Sequence, residues 1–200
     1  ELVDHHEGLH YNYYFEGGIK AYLKSLNKNK KVVNEKPFYV SRTIDDILVE
    51  AALQYNDSFS ETVLTFANHL KNIEGGTHLT GFRSALTKTV NDYARKTNLI
   101  KEKDPNLSGD DLREGLTAII SVKLDSASLQ FEGQTKAKLG NTNVRQAVDT
   151  VVKEALESYL DENPKEASGI VEKNVLALKA RSAAKAARDT VIRKTALEGG

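Results

Sequence analysis

The segment Phe131-Glu-Gly-Gln-Thr-Lys-Ala-Lys-Leu-Gly-Asn141 separates two kinds of sequence pattern in this chain. A strand-like pattern ends at Phe131, and a purely helical pattern begins directly after Asn141. We therefore expect a compact α+β body over residues 1–140, which ends in this segment, and an extended helical appendage over residues 141–200.

The same segment predicts a short, flexible loop with cationic side chains. Gly133 permits backbone conformations that a side chain would forbid. Gln134 offers amide donors and Lys136 offers a compact, mobile ammonium group, and both suit a phosphate held at a loop tip. A solvated lysine turn is the alternative, because a short motif alone is weak support for a site.

Five segments before the loop have the pattern of strands: 9–15, 37–42, 47–55, 62–67 and 117–124. The first four are separated by turn residues and by one short helix, which predicts an antiparallel meander in that half of the chain. The predicted fold class is α+β with a mainly antiparallel sheet.

Two helix starts lie between the fourth and fifth predicted strands. Gly75-Gly76-Thr77 predicts a break followed by a helix with an apolar stripe over residues 82–93. We expect His78, at this helix start, to pack or to form a hydrogen bond. Ser108 and Asp111 resemble a capping box at the start of a second, short helix.

Beyond the loop, apolar residues recur with helical spacing, and Asn163-Pro164 divides them into two helices. The second helix ends in a tract of alanine and basic residues, in which Arg181, Lys185 and Arg188 share one face. Such a face suits contact with DNA phosphates. The alternative is a solvated helix end with a cationic bias that the helix dipole favours.

The composition excludes several classes of function. Of the 200 residues, 40% are hydrophobic and 28% are charged, and the formal net charge is zero, so contact with nucleic acid must come from local clusters. The chain has no cysteine, which excludes disulfides, thiol catalysis and thiolate metal sites. Its five histidines lack the spacing of a zinc motif, and we expect no metal site.

The chain also lacks the patterns of a membrane protein and of a complete nucleotide site. No apolar run approaches the roughly 20 residues of a membrane helix, so we expect a cytoplasmic protein without membrane contact. No glycine-rich loop of a known nucleotide-binding pattern occurs. The absence of methionine and the opening residues Glu1-Leu2-Val3 favour an internal segment of a longer protein.

Seven short motifs, taken in order, resemble one protein family: Phe15-Glu-Gly-Gly-Ile19, Ala52-Leu-Gln-Tyr-Asn-Asp57, Glu74-Gly-Gly-Thr-His78, Gly81-Phe-Arg-Ser-Ala-Leu-Thr87, Val90-Asn-Asp-Tyr-Ala-Arg95, Arg113-Glu-Gly-Leu-Thr117 and Phe131-Glu-Gly-Gln-Thr-Lys136. The family is the B subunit of bacterial DNA gyrase, a type II topoisomerase, and the resemblance is to its transducer domain. It covers about residues 9–197. The B subunit of topoisomerase IV is the close alternative, and the motif at residues 81–87 favours gyrase.

The resemblance implies the transducer fold, with helices on one face of a mainly antiparallel sheet and a left-handed βαβ crossover. It implies that ATP and magnesium are held mainly by a preceding ATPase domain outside this chain, with none bound by this chain alone. Gln134 and Lys136 would touch the γ-phosphate of ATP, and Lys136 would be the catalytic residue.

The implied function is to couple ATP binding and hydrolysis to DNA strand passage and negative supercoiling. The implied partners are double-stranded DNA, the gyrase A subunit through a downstream region outside this chain, and a second copy of the parent subunit. A stand-alone nucleic-acid-binding module is a further alternative. Gln134 distinguishes the two, because a general binder needs only positive charge at that position.

Overall fold

The computed structural model describes the backbone of residues 2–4, 9–11 and 16–198, and the side chains of residues 16–192. The strands are β1 (Leu2–Asp4), β2 (Leu9–Tyr11), β3 (Phe38–Ile44), β4 (Ile47–Tyr55), β5 (Thr62–Ala67), β6 (Leu70–Lys71), β7 (Leu116–Lys123), β8 (Phe131–Glu132) and β9 (Lys138–Leu139). The helices are α1 (Gly18–Leu26), α2 (Thr77–Lys96), α3 (Gly109–Arg113), α4 (Thr142–Glu162) and α5 (Pro164–Glu198), with a 3₁₀ turn at Ser126–Ser128.

Five strands form the main sheet, in the order β3-β4-β7-β5-β6. The strands predicted near residues 37–42, 47–55, 62–67 and 117–124 are confirmed as β3, β4, β5 and β7. β2 confirms residues 9–11 of the first predicted strand, and residues 12–15 lie outside the described residues.

The predicted meander is wrong, because β7 lies between β4 and β5. β7 pairs antiparallel with β4 and parallel with β5, so the sheet is mixed. Residues 116–122 of β7 are all buried, and a strand buried on both faces belongs at the centre of a sheet. The connection from β5 to β7 runs through α2 and α3. Its left-handed sense stays a prediction.

Helices cover both faces of the sheet, so the expectation of helices on one face is wrong for α1. Leu23 of α1 packs with Ala52 and Ile119 in a separate small cluster. Their neighbours Ala51 and Ile120 belong to the main core, beneath α2 and α4. Successive residues of a strand point to opposite faces of the sheet. Because both members of each neighbouring pair are apolar, each face of the sheet must be covered by a helix.

The main core continues across residue 141 into the helical part of the chain. Val144, Val148 and Val151 of α4 are fully buried in the same cluster as the strands. α5 contributes buried residues as far as Leu178, and residues 179–192 are exposed. The buried side chains of the body therefore end at Leu178. Within the described residues, no helix has the length and apolar content needed to cross a bilayer.

Candidate phosphate-sensing loop and basic helix

The strands β8 and β9 form a small antiparallel hairpin, in which Phe131 pairs with Leu139. Residues 133–137 connect the two strands, and we name them the tip loop. Two residues of the tip loop have a left-handed backbone, Gly133 with φ 80° and Lys136 with φ 53°. Glycine adopts this conformation freely, but a lysine there costs on the order of 1–3 kcal/mol and must be held by its surroundings.

Three side chains of the tip loop point into solvent, whereas Ala137 at its end is buried. Gln134, Thr135 and Lys136 are exposed, and within the described residues neither the Gln134 amide nor the Lys136 ammonium has a hydrogen-bond or ion-pair partner. Lys138, two residues further on, donates to Glu132 at 2.7 Å. This hydrogen bond and the charge of Glu132 raise the pKa of Lys138. Of these two lysines, Lys136 is the one left available for a ligand.

A segment of irregular backbone at residues 72–76, which we name the support segment, lies against the C-terminal side of the tip loop. Two hydrogen bonds join the support segment to the tip loop, from Asn72 Nδ2 to Lys136 O at 2.9 Å and from Glu74 N to Ala137 O at 3.0 Å, and a third joins it to β9, from Leu139 N to Gly75 O at 3.0 Å. The support segment leads directly into α2, so the tip loop is tied to the start of that helix.

Gly76 explains how the two backbones come so close. A Cβ atom at this position would lie 2.3 Å from the carbonyl oxygen of Leu139, and the Gly76 φ of 134° also disfavours a side chain. Glycine is therefore required for the contact between the support segment and β9.

His78 lies beneath the support segment and is fully buried. Its Nε2 lies 3.1 Å from Asn72 Oδ1, which confirms the expectation of packing or a hydrogen bond. Burial lowers the pKa of His78 to about 4, so the imidazole is neutral at pH 7. Its other nitrogen, Nδ1, has no hydrogen-bond partner in the described part of the chain.

The three predicted DNA-contacting residues lie on the exposed part of α5, but they differ in their surroundings. Arg181 donates from Nε and Nη2 to the two carboxylate oxygens of Asp111, at 2.8 and 2.9 Å. Lys185 and Arg188 are exposed and have no partner among residues 16–192. The guanidinium of Arg181 is therefore already paired, whereas the other two cations are unpaired within residues 16–192.

Asp111 has two structural roles. With Ser108 it forms the predicted capping box of α3, which is confirmed, and it also binds Arg181. Burial alone would raise the pKa of Asp111, but the hydrogen bonds from Arg181 and Ser108 outweigh it and hold the pKa below its ordinary value. Sequence patterns did not predict the contact with Arg181, because the capping box already explained the carboxylate.

Among residues 16–192, no three side chains of the metal-ligating types come together as a site for a metal ion. Hydrogen-bond donors and positive charge are exposed at the candidate residues named above. These groups occur at the tip loop and on the exposed part of α5.

Comparison with known proteins identifies the family. The sequence model described as DNA gyrase B matches residues 18–190. The chain belongs to the DNA gyrase B family. It is 50% identical over 199 residues to the DNA gyrase B subunit of Clostridium acetobutylicum, covering 99% of this chain and 31% of that protein. The corresponding protein of Streptococcus pneumoniae is 49% identical over 199 residues, covering 98% of this chain and 30% of that protein.

Solved structures of the gyrase B and topoisomerase IV families share the fold. The 43K ATPase domain of Thermus thermophilus gyrase B, in complex with an aminocoumarin, superposes with a TM-score of 0.80 at 41% identity, covering 87% of this chain and 46% of that chain. The topoisomerase IV ATP-binding domain of Francisella tularensis, in complex with a small-molecule inhibitor, gives a TM-score of 0.74 at 28% identity. The match covers 90% of this chain and 47% of that chain.

This member of the gyrase B family spans about a third of the length of the two curated relatives named above. The part that matches the family includes the support segment, the tip loop and the exposed cations Lys185 and Arg188. Both structural neighbours named above are ATPase or ATP-binding domains of type II topoisomerases.

Proposed function

We propose that this chain is the transducer domain of a bacterial DNA gyrase B subunit. It couples ATP binding and hydrolysis, in a preceding ATPase domain, to DNA strand passage and negative supercoiling. The observation that carries this proposal is the tip loop, where Gln134 and Lys136 have no partner among the described side chains while the backbone beneath them is fixed. In this proposal double-stranded DNA, the gyrase A subunit and a second copy of the parent protein are the partners, in the cytoplasm.

The tip loop fits the γ-phosphate of ATP, because its groups without a partner in the described part of the chain are an amide and an ammonium. Glu132, the carboxylate at its base, is paired with Lys138 and makes no contact with Lys136 among the described residues. Bound ATP with magnesium supplies the phosphoryl group that is transferred to water. Lys136 stabilises negative charge on that group, and Gln134 orients it by a hydrogen bond.

Contact with the γ-phosphate also provides a switch. The γ-phosphate is present before hydrolysis and absent from ADP, so a loop that binds it has different affinity for the two states. A movement of the tip loop on phosphate binding passes first to the support segment and then to α2, which packs along α4. α5 follows α4 and carries the movement to the exposed cations Lys185 and Arg188.

The test is Lys136→Ala in the full-length protein assembled with the gyrase A subunit. We expect ATP hydrolysis to fall by roughly a hundredfold or more, as when one preorganised donor to a developing charge is removed. ATP-driven supercoiling should vanish, and ATP-independent relaxation should persist. The free energy of unfolding should change by less than about 0.5 kcal/mol, because the side chain is exposed and unpartnered in the described residues.

Lys138→Ala is the matched control, since it removes a lysine of the same hairpin that is already paired. It should leave hydrolysis nearly unchanged. Equal effects of the two substitutions, or unfolding caused by Lys136→Ala, would reduce the tip loop to a structural turn. Gln134→Lys distinguishes the proposed function from general nucleic-acid binding. If Gln134 contacts the γ-phosphate, this substitution should impair ATP hydrolysis. If the tip loop is a purely electrostatic DNA contact, the added positive charge should strengthen DNA binding.

A further inference from the structure

We propose that Asn72, held in one orientation by His78, is the positioning residue that sets the backbone of Lys136 for phosphate contact. This inference rests on the function proposed above and assigns to the two buried residues a role in the same site. Asn72 would not touch the phosphate. It acts through the carbonyl group of Lys136.

The backbone of Asn72 is fixed by the sheet. Its N–H donates to the carbonyl of Thr65 in β5 at 2.8 Å, and its own carbonyl accepts from Thr65 Oγ1 at 2.7 Å. Asn72 is 2% exposed. Its side-chain amide therefore starts from a rigid base when it donates to the Lys136 carbonyl at 2.9 Å.

His78 decides which end of the Asn72 amide faces the tip loop. An asparagine amide has one accepting and one donating end, and a flipped amide would place its oxygen against the Lys136 carbonyl. The neutral imidazole carries one proton. Its Nε2 faces Asn72 Oδ1 and its Nδ1 has no partner in the described residues, so the proton belongs on Nε2, which donates to Oδ1. This hydrogen bond leaves the NH₂ group directed at Lys136.

The hydrogen bond matters because Lys136 has a strained backbone. A φ of 53° is unfavourable for lysine, and the exposed side chain has no partner in the described residues that would compensate. The hydrogen bond from Asn72 holds the carbonyl of this peptide in place. Without it, Lys136 can relax to negative φ, which redirects its side chain. A displacement of about 1 Å at a catalytic group can cost about a hundredfold in rate.

The test compares two asparagine substitutions in the full-length protein. Asn72→Asp keeps the shape and the backbone hydrogen bonds, and it replaces the donor that faces Lys136 with a carboxylate oxygen. We expect kcat for ATP hydrolysis to fall about 10- to 100-fold, by analogy with the loss of an outer partner that orients a metal ligand, with little change in KM for ATP. The control is Asn68→Asp, because Asn68 donates in the same way to Leu124 O at 2.7 Å, away from the tip loop. Its kcat should stay near wild type.

Two histidine variants test the orientation and are informative even if Asn72→Asp fails to fold. His78→Gln keeps an amide N–H near the place of Nε2 and should retain most activity, whereas His78→Leu fills the space without a donor and should lower kcat. In the 200-residue chain, the Cα and Cβ chemical shifts of Lys136 report its backbone conformation. They should change in Asn72→Asp and His78→Leu, and stay in Asn68→Asp and His78→Gln.

The outcomes separate this inference from the proposed function. If Lys136→Ala abolishes hydrolysis while Asn72→Asp matches Asn68→Asp, the positioning role is wrong and the proposed function stands. Equal activity of His78→Leu and His78→Gln would also overturn the positioning role. If Lys136→Ala keeps full activity, the proposed function itself fails.

Discussion

The buried imidazole of His78 makes the stability of this chain depend on pH. Its pKa is lowered from the ordinary 6.5 to about 4, because burial disfavours the charged form. In the unfolded chain His78 takes up a proton as the pH falls below 6.5, but in the folded chain it stays neutral until about pH 4. Protonation therefore favours the unfolded state between these two values.

We expect His78→Gln to remove this dependence. The free energy of unfolding of the wild-type chain should fall by about 3 kcal/mol more than that of the variant between about pH 6.5 and about pH 4, and the difference should be constant below that range. Urea denaturation at a series of pH values measures it. Parallel curves for the two proteins would show that His78 titrates freely in the fold.

At the scale of residues, the sequence indicated the exposed candidate residues of the tip loop but not the buried residues that support it. Gln134 and Lys136 are recognisable from residue types and from a flanking glycine. His78 could be expected to form a hydrogen bond from its place at a helix start. Asn72 could not be found, since 64 positions separate it from Lys136 and no periodicity connects them. Only the tertiary fold brings the two together.

At the scale of elements, periodicity predicted strands but not their neighbours. The period of two tells which residues share a face, and it carries no information about which strand lies alongside. β7 was recognisable as a strand, but its insertion between β4 and β5 depends on its burial on both faces. The position of α1 on the second face follows from the same burial, at Ala52 and Ile119.

Besides its buried apolar side chains, the long helix α5 has two ion pairs with the body among the described residues. Lys173 donates to the Ser58 carbonyl at 3.1 Å and pairs with Glu114 at 3.4 Å. Further along the helix, Arg181 binds the buried carboxylate of Asp111. Because the Asp111 pKa is held below its ordinary value, this ion pair is complete at neutral pH and breaks only as the pH falls through that lowered pKa.

We expect Arg181→Gln to free the end of α5 without unfolding the body. Asp111 keeps its hydrogen bonds from Ser108, so α3 should remain capped, while the backbone amides of residues 179–190 should exchange faster with solvent. Hydrogen exchange of the chain measures this change. Lys185→Gln is the control, since Lys185 has no partner in the described residues. Equal exchange in the two variants would mean that the ion pair with Asp111 does not restrain the helix.

At the scale of the whole molecule, the position of the charged residues matters more than their sum. The formal net charge is zero, so no overall field attracts DNA. α5 has 35 residues, which corresponds to a length of about 50 Å, and its exposed part extends beyond the core. The sequence predicted this basic helix, but it also predicted equal roles for three cations, and the structure shows that one of them is paired.

The last prediction separates these cations by their contribution to DNA binding in the full-length protein. If the exposed end of α5 follows the DNA backbone, removing one cation that neutralises a phosphate should reduce the slope of log K against log salt by about 0.9. Lys185→Gln and Arg188→Gln should each lower the slope by about this amount, because both side chains are exposed and unpaired within the described residues. Arg181→Gln should lower it less, since Asp111 already balances the charge of Arg181. Fluorescence anisotropy with a DNA duplex over a range of salt concentrations measures all three slopes. An unchanged slope in the Lys185 and Arg188 variants would mean that the basic face is a solvated surface, and that α5 transmits movement without touching DNA.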